Sequence, residues 1–501
     1  MVYSRAIMSR IGIGAMAISL SGILAVILLV CINEKLALIA VAGGIFCAFL
    51  MTAPPLWLAL LLIVLIPFEG LITALLGGFE SSARQWFAIW KEVLLGIGLL
   101  RVLWDNPNRK RIIASNLWVL GWTGILMLVY CATLLRVPSV PAIFSLDIET
   151  RFLGVMLFFM FLDLDGKDIA TILRAMVWSV GLIALYGLVQ YRWDYERLLP
   201  LVYHLPDLSA DGTRRLYSYS LSAFDPACGA VVAILVLFSG VGRTALRVAL
   251  PWFALLLPCL LLTYARSAYI GLLFGIVTVC VIDRAHVRRN VVIVGIGICL
   301  VCVVLVFSGE SVLNSDIGQR IQSIVSQTDS SSKVHKESMK KAVQVISANP
   351  FGIGLGKSGI VQARFAGGVD AAEFTECWVL QAGVQTGVIG AFAYLGLTGA
   401  ILASLLRKRH YCNEDSRLLK VSAGAVLVAM TVAGVTIPVW DSLIAFVYVW
   451  ALVGMALGDV TRLRAGPYVS LTPSSPCRAL TAGQHAQLGL FGPTLGSTRK
   501  S

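Results

Sequence analysis

In the nineteen residues Leu261–Val279 (LLTYARSAYIGLLFGIVTV), Arg266 is the one charge, and apolar runs lie on both sides of it. An arginine at mid-bilayer costs at least about 3 kcal/mol on insertion scales, so this one needs an exit or a partner. The plain reading is an arginine that snorkels to the interface and anchors a hairpin. Its neighbours Thr263, Ala265, Ser267 and Ala268 are small or hydroxylic. Such a turn can tuck between helices and turn its guanidinium toward a wet cavity. Further arginines are Arg214 and Arg215 in TRRLYSYSLSAFDP, Arg151, Arg320 and Arg364. Taken singly, each is an ordinary solvated charge. As a set they suit a phosphate or diphosphate, which guanidinium groups hold bidentately. A candidate base stands at Glu376 in EFTECWVLQAGVQTGVIGAF, at the mouth of an apolar run beside Cys377 and Trp378. Desolvation there raises a carboxyl group toward the range useful for proton abstraction. The structural alternative is a helix-start carboxylate favoured by the dipole.

The elements that must position these groups are membrane spans. The 501 residues are 58% hydrophobic and 13% charged, far from the balance of a soluble domain. Apolar runs of near-spanning length are Ile11–Cys31, Leu117–Leu135, Ile172–Val189, Val248–Thr263, Ala268–Ile282, Val291–Phe307, Val388–Leu406, Val421–Val439 and Ser442–Leu457. Shorter or interrupted candidates are Leu36–Ala53, Leu56–Pro67, Glu92–Trp104, Phe152–Leu162 and Gly229–Val241. The expectation is an all-α integral membrane protein with about 12–14 transmembrane helices and a large periplasmic loop containing short amphipathic helices. Arg5 and Arg10 precede the first run, which lacks a small-residue cleavage site and reads as a retained helix.

A net charge of +13 invites a nucleic-acid reading, but orientation explains much of it. The short loops Asp105–Arg111, Arg243–Arg247, Asp283–Asn290 and Arg407–Lys420 are basic and alternate correctly to be cytoplasmic. Both termini then lie inside. The outer loops are Glu69–Lys91, Arg136–Arg151, Tyr191–Pro226, the Arg266 junction, Ser308–Thr375 and the Trp440–Asp441 turn. Residues 308–375 make too long a loop to be a mere connection. Within it, Met339, Ala342, Val343 and Ile346 recur at helical spacing, with Lys336, Lys340 and Lys341 elsewhere on the helix. This reads as an amphipathic helix on the outer membrane surface, ended by Asn349-Pro350 and followed by a flexible turn at Gly352, Gly354 and Gly356. From residue 459 the chain is rich in Ser, Thr, Gly and Pro and reads as a disordered cytoplasmic tail. The organisation is therefore 1–213, N-terminal helices; 214–458, a core with the long loop; and 459–501, the tail. Most of the eleven cysteines sit in apolar runs, and Cys299-Leu-Val-Cys302 reads as packing despite its CxxC spacing.

Three ordered pieces carry a resemblance. They are LTYARSAYIGL, AVQVISANPFGIGLG, and Glu376-Cys377 followed nine residues later by Gly387-Val-Ile-Gly390. In this order they resemble the O-antigen ligase and polymerase family, multispan glycosyltransferases that act on undecaprenyl-diphosphate-linked glycans. The resemblance covers roughly Arg214 to Leu457. Ligases of that family usually carry His followed by Asn, Ser or Gln where this chain has Glu376-Cys377. A glutamate there is more similar to the exopolysaccharide polymerase branch. The family also often has an arginine about fifteen residues before the proline, where this chain has His335-Lys336.

The resemblance implies glycosyl transfer at the periplasmic face of the bacterial inner membrane. Diphosphate is a good leaving group, so cations matter more than acid catalysis. Arg266 and Arg215 are assigned that role, with Arg214 or Lys336 in support and His335 and Arg364 near the headgroup or glycan. Glu376 is assigned as the base for the incoming hydroxyl. Gly352, Gly354 and Gly356 would let backbone approach the glycan. No cofactor is implied, and no aspartate pair suits Mg²⁺. The expected partners are the lipid-linked glycan, the bilayer and, as an open question, a chain-length co-polymerase; nucleic acid is not among them. Three readings stay open: a polymerase of repeat units into O-antigen or exopolysaccharide, a ligase moving finished glycan to lipid A-core or another acceptor, and a lipid-linked oligosaccharide transporter.

Overall fold

The structure is a computed structural model that describes residues 44–69, 90–192, 216, 224–240, 246–283, 295, 330–365, 377–407, 414–436, 439 and 442–458. The expected first helix Ile11–Cys31, the run Val291–Phe307 apart from residue 295, and the tail lie outside the described residues. The elements are α1 (Pro55–Leu65), α2 (Trp90–Asp105), α3 (Arg109–Ser115), α4 (Leu117–Arg136), α5 (Val140–Phe161), α6 (Gly166–Arg192), α7 (Phe224–Gly240), α8 (Leu246–Leu262), α9 (Arg266–Ile282), α10 (Ser330–Ala348), α11 (Gly359–Phe365), α12 (Trp378–Arg407), α13 (Glu414–Ala433) and α14 (Leu443–Gly458). A short 3-10 turn, Ile66–Phe68, follows α1, and no strand occurs among the described residues. In hydrocarbon every backbone N–H and C=O must find a partner within the protein, which is why apolar runs this long become helices.

Among the described residues, four helices are long and apolar enough to cross a bilayer: Leu117–Arg136, Gly166–Arg192, Trp378–Leu406 and Ser416–Ala433. Shorter apolar helices cover Pro55–Phe68, Phe224–Gly240, Ala249–Leu262, Arg266–Ile282 and Ile444–Gly458. The chain is thus an all-α, multi-pass membrane protein. α7 and α14 are buried on nearly all sides and form its centre. Small residues let backbones approach where helices cross, as membrane packing requires. A Cβ added at Gly271 would lie 2.6 Å from the Ala429 carbonyl, so α9 lies tight on α13. One added at Gly454 would meet the Met156 carbonyl at 2.4 Å, which sets α14 against α5. The Trp122 ring of α4 covers Gly396 of α12.

Polar side chains tie the helices at the end of α9 that carries Asp283. Arg417 pairs with Asp283 there, joining the last residues of α9 to the first turn of α13. Asn106 Nδ2 donates to the Phe161 carbonyl at 2.6 Å, and Asn116 Nδ2 donates to the Leu457 carbonyl at 3.3 Å. These side chains lie where α2, α5 and α14 end and α4 begins. Arg136, Ser139 and Arg266 lie at the opposite ends of their helices.

One segment here differs from expectation. Arg136–Arg151 reads as a loop because polar residues interrupt it. It is helical from Val140, because the Ser139 hydroxyl caps the first turn by accepting from Ala142 N at 3.2 Å and Pro141 suits that turn. The turn 263–268, by contrast, is as expected: Thr263, Tyr264, Ala265, Ser267 and Ala268 are all buried. Gly454→Leu should abolish the folded peak in detergent size-exclusion chromatography. Gly399→Ala, where a new Cβ meets nothing within 4 Å, should leave that peak intact.

Candidate functional site

α12 is not one rod. Gly387 has φ 80° and ψ −174°, outside helical values, and divides it into residues 378–386 and 388–407. The rings of Trp378 and Tyr394 lie 4.2 Å apart, although sixteen residues of straight helix would separate them by about 24 Å. A Cβ on Gly383 would sit 3.6 Å from that of Ala391. The two halves therefore fold back on each other as a helical hairpin, and the longer half alone matches the expected span Val388–Leu406.

The break would leave backbone groups bare, and the glycine loop covers them. Ile353 N donates to the Val384 carbonyl at 2.9 Å, and Gly354 N to the Gln385 carbonyl at 3.1 Å. Val388 N donates to the Pro350 carbonyl at 3.0 Å. Gly352 and Gly387 both have positive φ, and a Cβ on either would strike backbone of the other's segment at 2.4 Å or less. Gly354 lies against Val137 and Gly356 against the Pro141 carbonyl. The Arg136 guanidinium bonds the Gly352 carbonyl at 2.5 Å. The turn expected to be flexible is thus fixed on the break, and its glycines admit the backbone of α12 and α5.

The amphipathic helix α10 backs the short half. Ala342 is buried, and Ile346 lies under Gly383. His335 is one face-repeat before Ala342 and half-buried, Lys336 is exposed, and Val343, expected on the apolar face, is 51% exposed. Arg364 belongs to α11, beside Phe365, whose ring lies 5.5 Å from that of Phe144 on α5.

The short half starts below the surface. Trp378 N donates to the Gly434 carbonyl at 3.1 Å, just past the end of α13. Trp378 stands level with Tyr394, seven residues and about 10 Å below the turn at Gly387. Cys377 is buried there. Glu376 lies outside the described residues, but its neighbours Cys377 and Trp378 stand inside the bundle, not at the mouth of a span. The same end of α13 meets α9: Ala433 packs on Gly271, and Arg266 begins that helix about 7 Å further along. Leu216 N donates to the Leu262 carbonyl at 2.9 Å, which brings the chain that follows Arg215 to the Arg266 turn. Arg214 and Arg215 themselves lie outside the described residues. The end of α13 thus meets the Trp378 segment and α9, and the end of α8, just before the Arg266 turn, meets Leu216.

Beside this stands a polar layer not foreseen from the sequence. Glu149 on α5 accepts from Gln381 Nε2 at 3.4 Å and from the Tyr130 hydroxyl at 3.5 Å, and the Gln385 side chain also bonds it. The Ser145 hydroxyl donates to Gln385 Oε1 at 3.1 Å. On the other side of α5, Arg151 is held by Glu92 at 2.7 Å and by Asp147. Lys91 and Glu69 form a buried pair at 2.5 Å. The signal was the i,i+4 spacing of Ser145 with Glu149 and of Asp147 with Arg151, which gives a helix two polar stripes. Among the described residues no three of His, Cys, Asp and Glu converge as a metal site would require.

An all-α membrane protein with a folded-back helix, sealed by a glycine loop, is the class these features define. Residues 251–395 match the family model described as O-antigen ligase (Wzy_C). That segment runs from α8 through the Arg266 turn and the glycine loop to the hairpin. No curated protein matches the chain.

Gly352→Ala and Gly387→Ala should each unseat the loop. An L residue at positive φ costs about 1–2 kcal/mol before the clash is counted. The expected result is faster cleavage at Lys357 in limited trypsin digestion, with a lower melting temperature.

Proposed function

We propose that the chain is a membrane glycosyltransferase that polymerises polyprenyl-diphosphate-linked oligosaccharide repeats into surface polysaccharide at the periplasmic face of the bacterial inner membrane. The observation that carries this reading is the meeting of the α9 start with Cys377–Trp378 at one end of α13. That meeting supports a single centre shared by Arg266 and Glu376, the residue before Cys377. The match to the O-antigen ligase family model supports the reaction class.

The chemistry follows from the donor. The oxygen of an acceptor sugar hydroxyl attacks the anomeric carbon, and the bond from that carbon to the diphosphate oxygen breaks. The electron pair leaves with the diphosphate, whose growing charge Arg266, with Arg215 and Arg214, neutralises in a low-dielectric setting. The hydroxyl proton passes to the Glu376 carboxylate. Attack opposite the leaving group inverts the anomeric centre. The cations supply the charge that a metal would otherwise bring. Lys336, exposed on α10, and His335 flank the path of the headgroup in this reading, as does Arg364.

Glu376 in place of a ligase-type histidine favours polymerase over ligase. A transporter keeps its broken helices and ionisable groups near the bilayer midplane. The break at Gly387 instead adjoins Arg136, the last residue of α4.

Deletion of the gene should leave single repeats and remove long chains on a gel of surface glycans. Long lipid-linked chains that accumulate instead would mark a ligase, and loss of all glycan outside the membrane would mark a transporter. Arg266→Ala and Glu376→Gln should each abolish polymer at a normal protein level. Full-length polymer from either variant would remove that residue from the mechanism.

A further inference from the structure

We propose that Glu149 is a positioning residue for the transfer centre, a carboxylate of α5 that anchors the side chains of the short half-helix 378–386 and so fixes where Cys377, just before its start, stands. This rests on the glycosyltransferase reading above. The half-helix is restrained at its start and along its length. At its start, Trp378 N donates to the Gly434 carbonyl at 3.1 Å and Trp378 Nε1 to the Thr431 carbonyl at 3.5 Å, which ties it to the end of α13. Along its length, Gln381 and Gln385 lie one turn apart on one stripe, and both bond Glu149. Tyr130 donates to the same carboxylate from α4, and Ser145 orients the Gln385 amide so that its NH2 faces Glu149. On the opposite side, Gly359 rests on the Gln381 amide, where a Cβ would come within 2.7 Å of Nε2.

The frame that carries Glu149 is rigid. One turn further along α5, the Phe152 ring lies 4.6 Å from Trp450 and 5.3 Å from Tyr394, and Gly454 closes on Met156. A carboxylate suits this place because all its lone pairs accept. It can take three donors from two helices at once, which a side-chain amide cannot do. Loss of it removes the side-chain anchor of the half-helix on α5, and Cys377 is held less closely. A displacement of about 1 Å in such a group is worth about 100-fold in rate.

The test uses the full-length chain in nanodiscs, with a lipid-linked repeat unit as the probe and the cysteines other than Cys377 replaced by serine. Wild type, Glu149→Ala, Glu149→Gln and the exchange Glu149→Gln with Gln381→Glu are compared. Both single variants should lower turnover, by about 100-fold for alanine, while the KM for the lipid-linked unit stays within about 3-fold. Maleimide labelling of Cys377, which is 6% exposed, should rise several-fold in the same variants. The exchange restores a carboxylate facing an amide, and it should recover both readouts. Turnover within about 2-fold of wild type in Glu149→Gln would overturn the proposal. So would a loss of turnover with unchanged Cys377 labelling and no recovery in the exchange. A wild-type chain that makes no polymer, while the variants still change Cys377 labelling, would sink the glycosyltransferase reading and uphold the positioning role.

Discussion

Hydrocarbon offers no partner to a bare peptide group, and the site region is arranged around that constraint. A helix that reverses at Gly387 gives up its own ladder there. The carbonyls of Val384 and Gln385 and the N–H of Val388 are then owed partners. Residues 350–354 provide all three, and they come from a segment that a hydropathy profile would place outside the membrane altogether. The seal explains the glycines on both sides. Neither Gly352 nor Gly387 could carry a Cβ without striking the other segment, and both hold backbone angles that L residues avoid. It also explains why Arg136 closes α4: its guanidinium takes the carbonyl of Gly352.

The charges of the described bundle follow a related logic. Several near α5 are paired: Lys91 with Glu69, and Arg151 with Glu92 of α2 and with Asp147 of its own helix. Such pairs add little net stability once desolvation is counted, yet removal of one member is costly. Their value is register, since Lys91–Glu69 and Arg151–Glu92 each join separate segments. Arg151, grouped by sequence with the anion-binding arginines, is accounted for by its two carboxylates. Arg266 differs in setting, because it opens a helix beside a buried turn and close to the end of α13.

Much of the fold is legible in the sequence. The apolar runs at Leu117–Leu135, Ile172–Val189, Ala268–Ile282 and Val388–Leu406 all fall within observed helices, because run length reports directly on bilayer thickness. The amphipathic helix ends at Ala348, where Asn349-Pro350 says it should. The hairpin in α12 was not legible. Residues 378–386 are apolar enough to continue the following span, and only a tertiary contact reveals the reversal. The polar start of α5 was misjudged for the opposite reason. Ser145, Asp147, Glu149 and Arg151 look like loop residues when hydropathy alone is read, while their four-residue spacing and the Ser139 cap mark a helix with two polar stripes. Glu149 was missed with them.

The junction of α13 with the short half-helix bears on which changes of length the chain tolerates. The two pieces meet end to end through the bond from Trp378 to Gly434, and the stretch between Trp378 and Gly387 is clamped at both limits. One residue gained or lost inside it would turn Gln381 or Gln385 by about 100°, away from α5. Variation in length among chains of this kind should therefore be absent from the nine positions that follow Cys377.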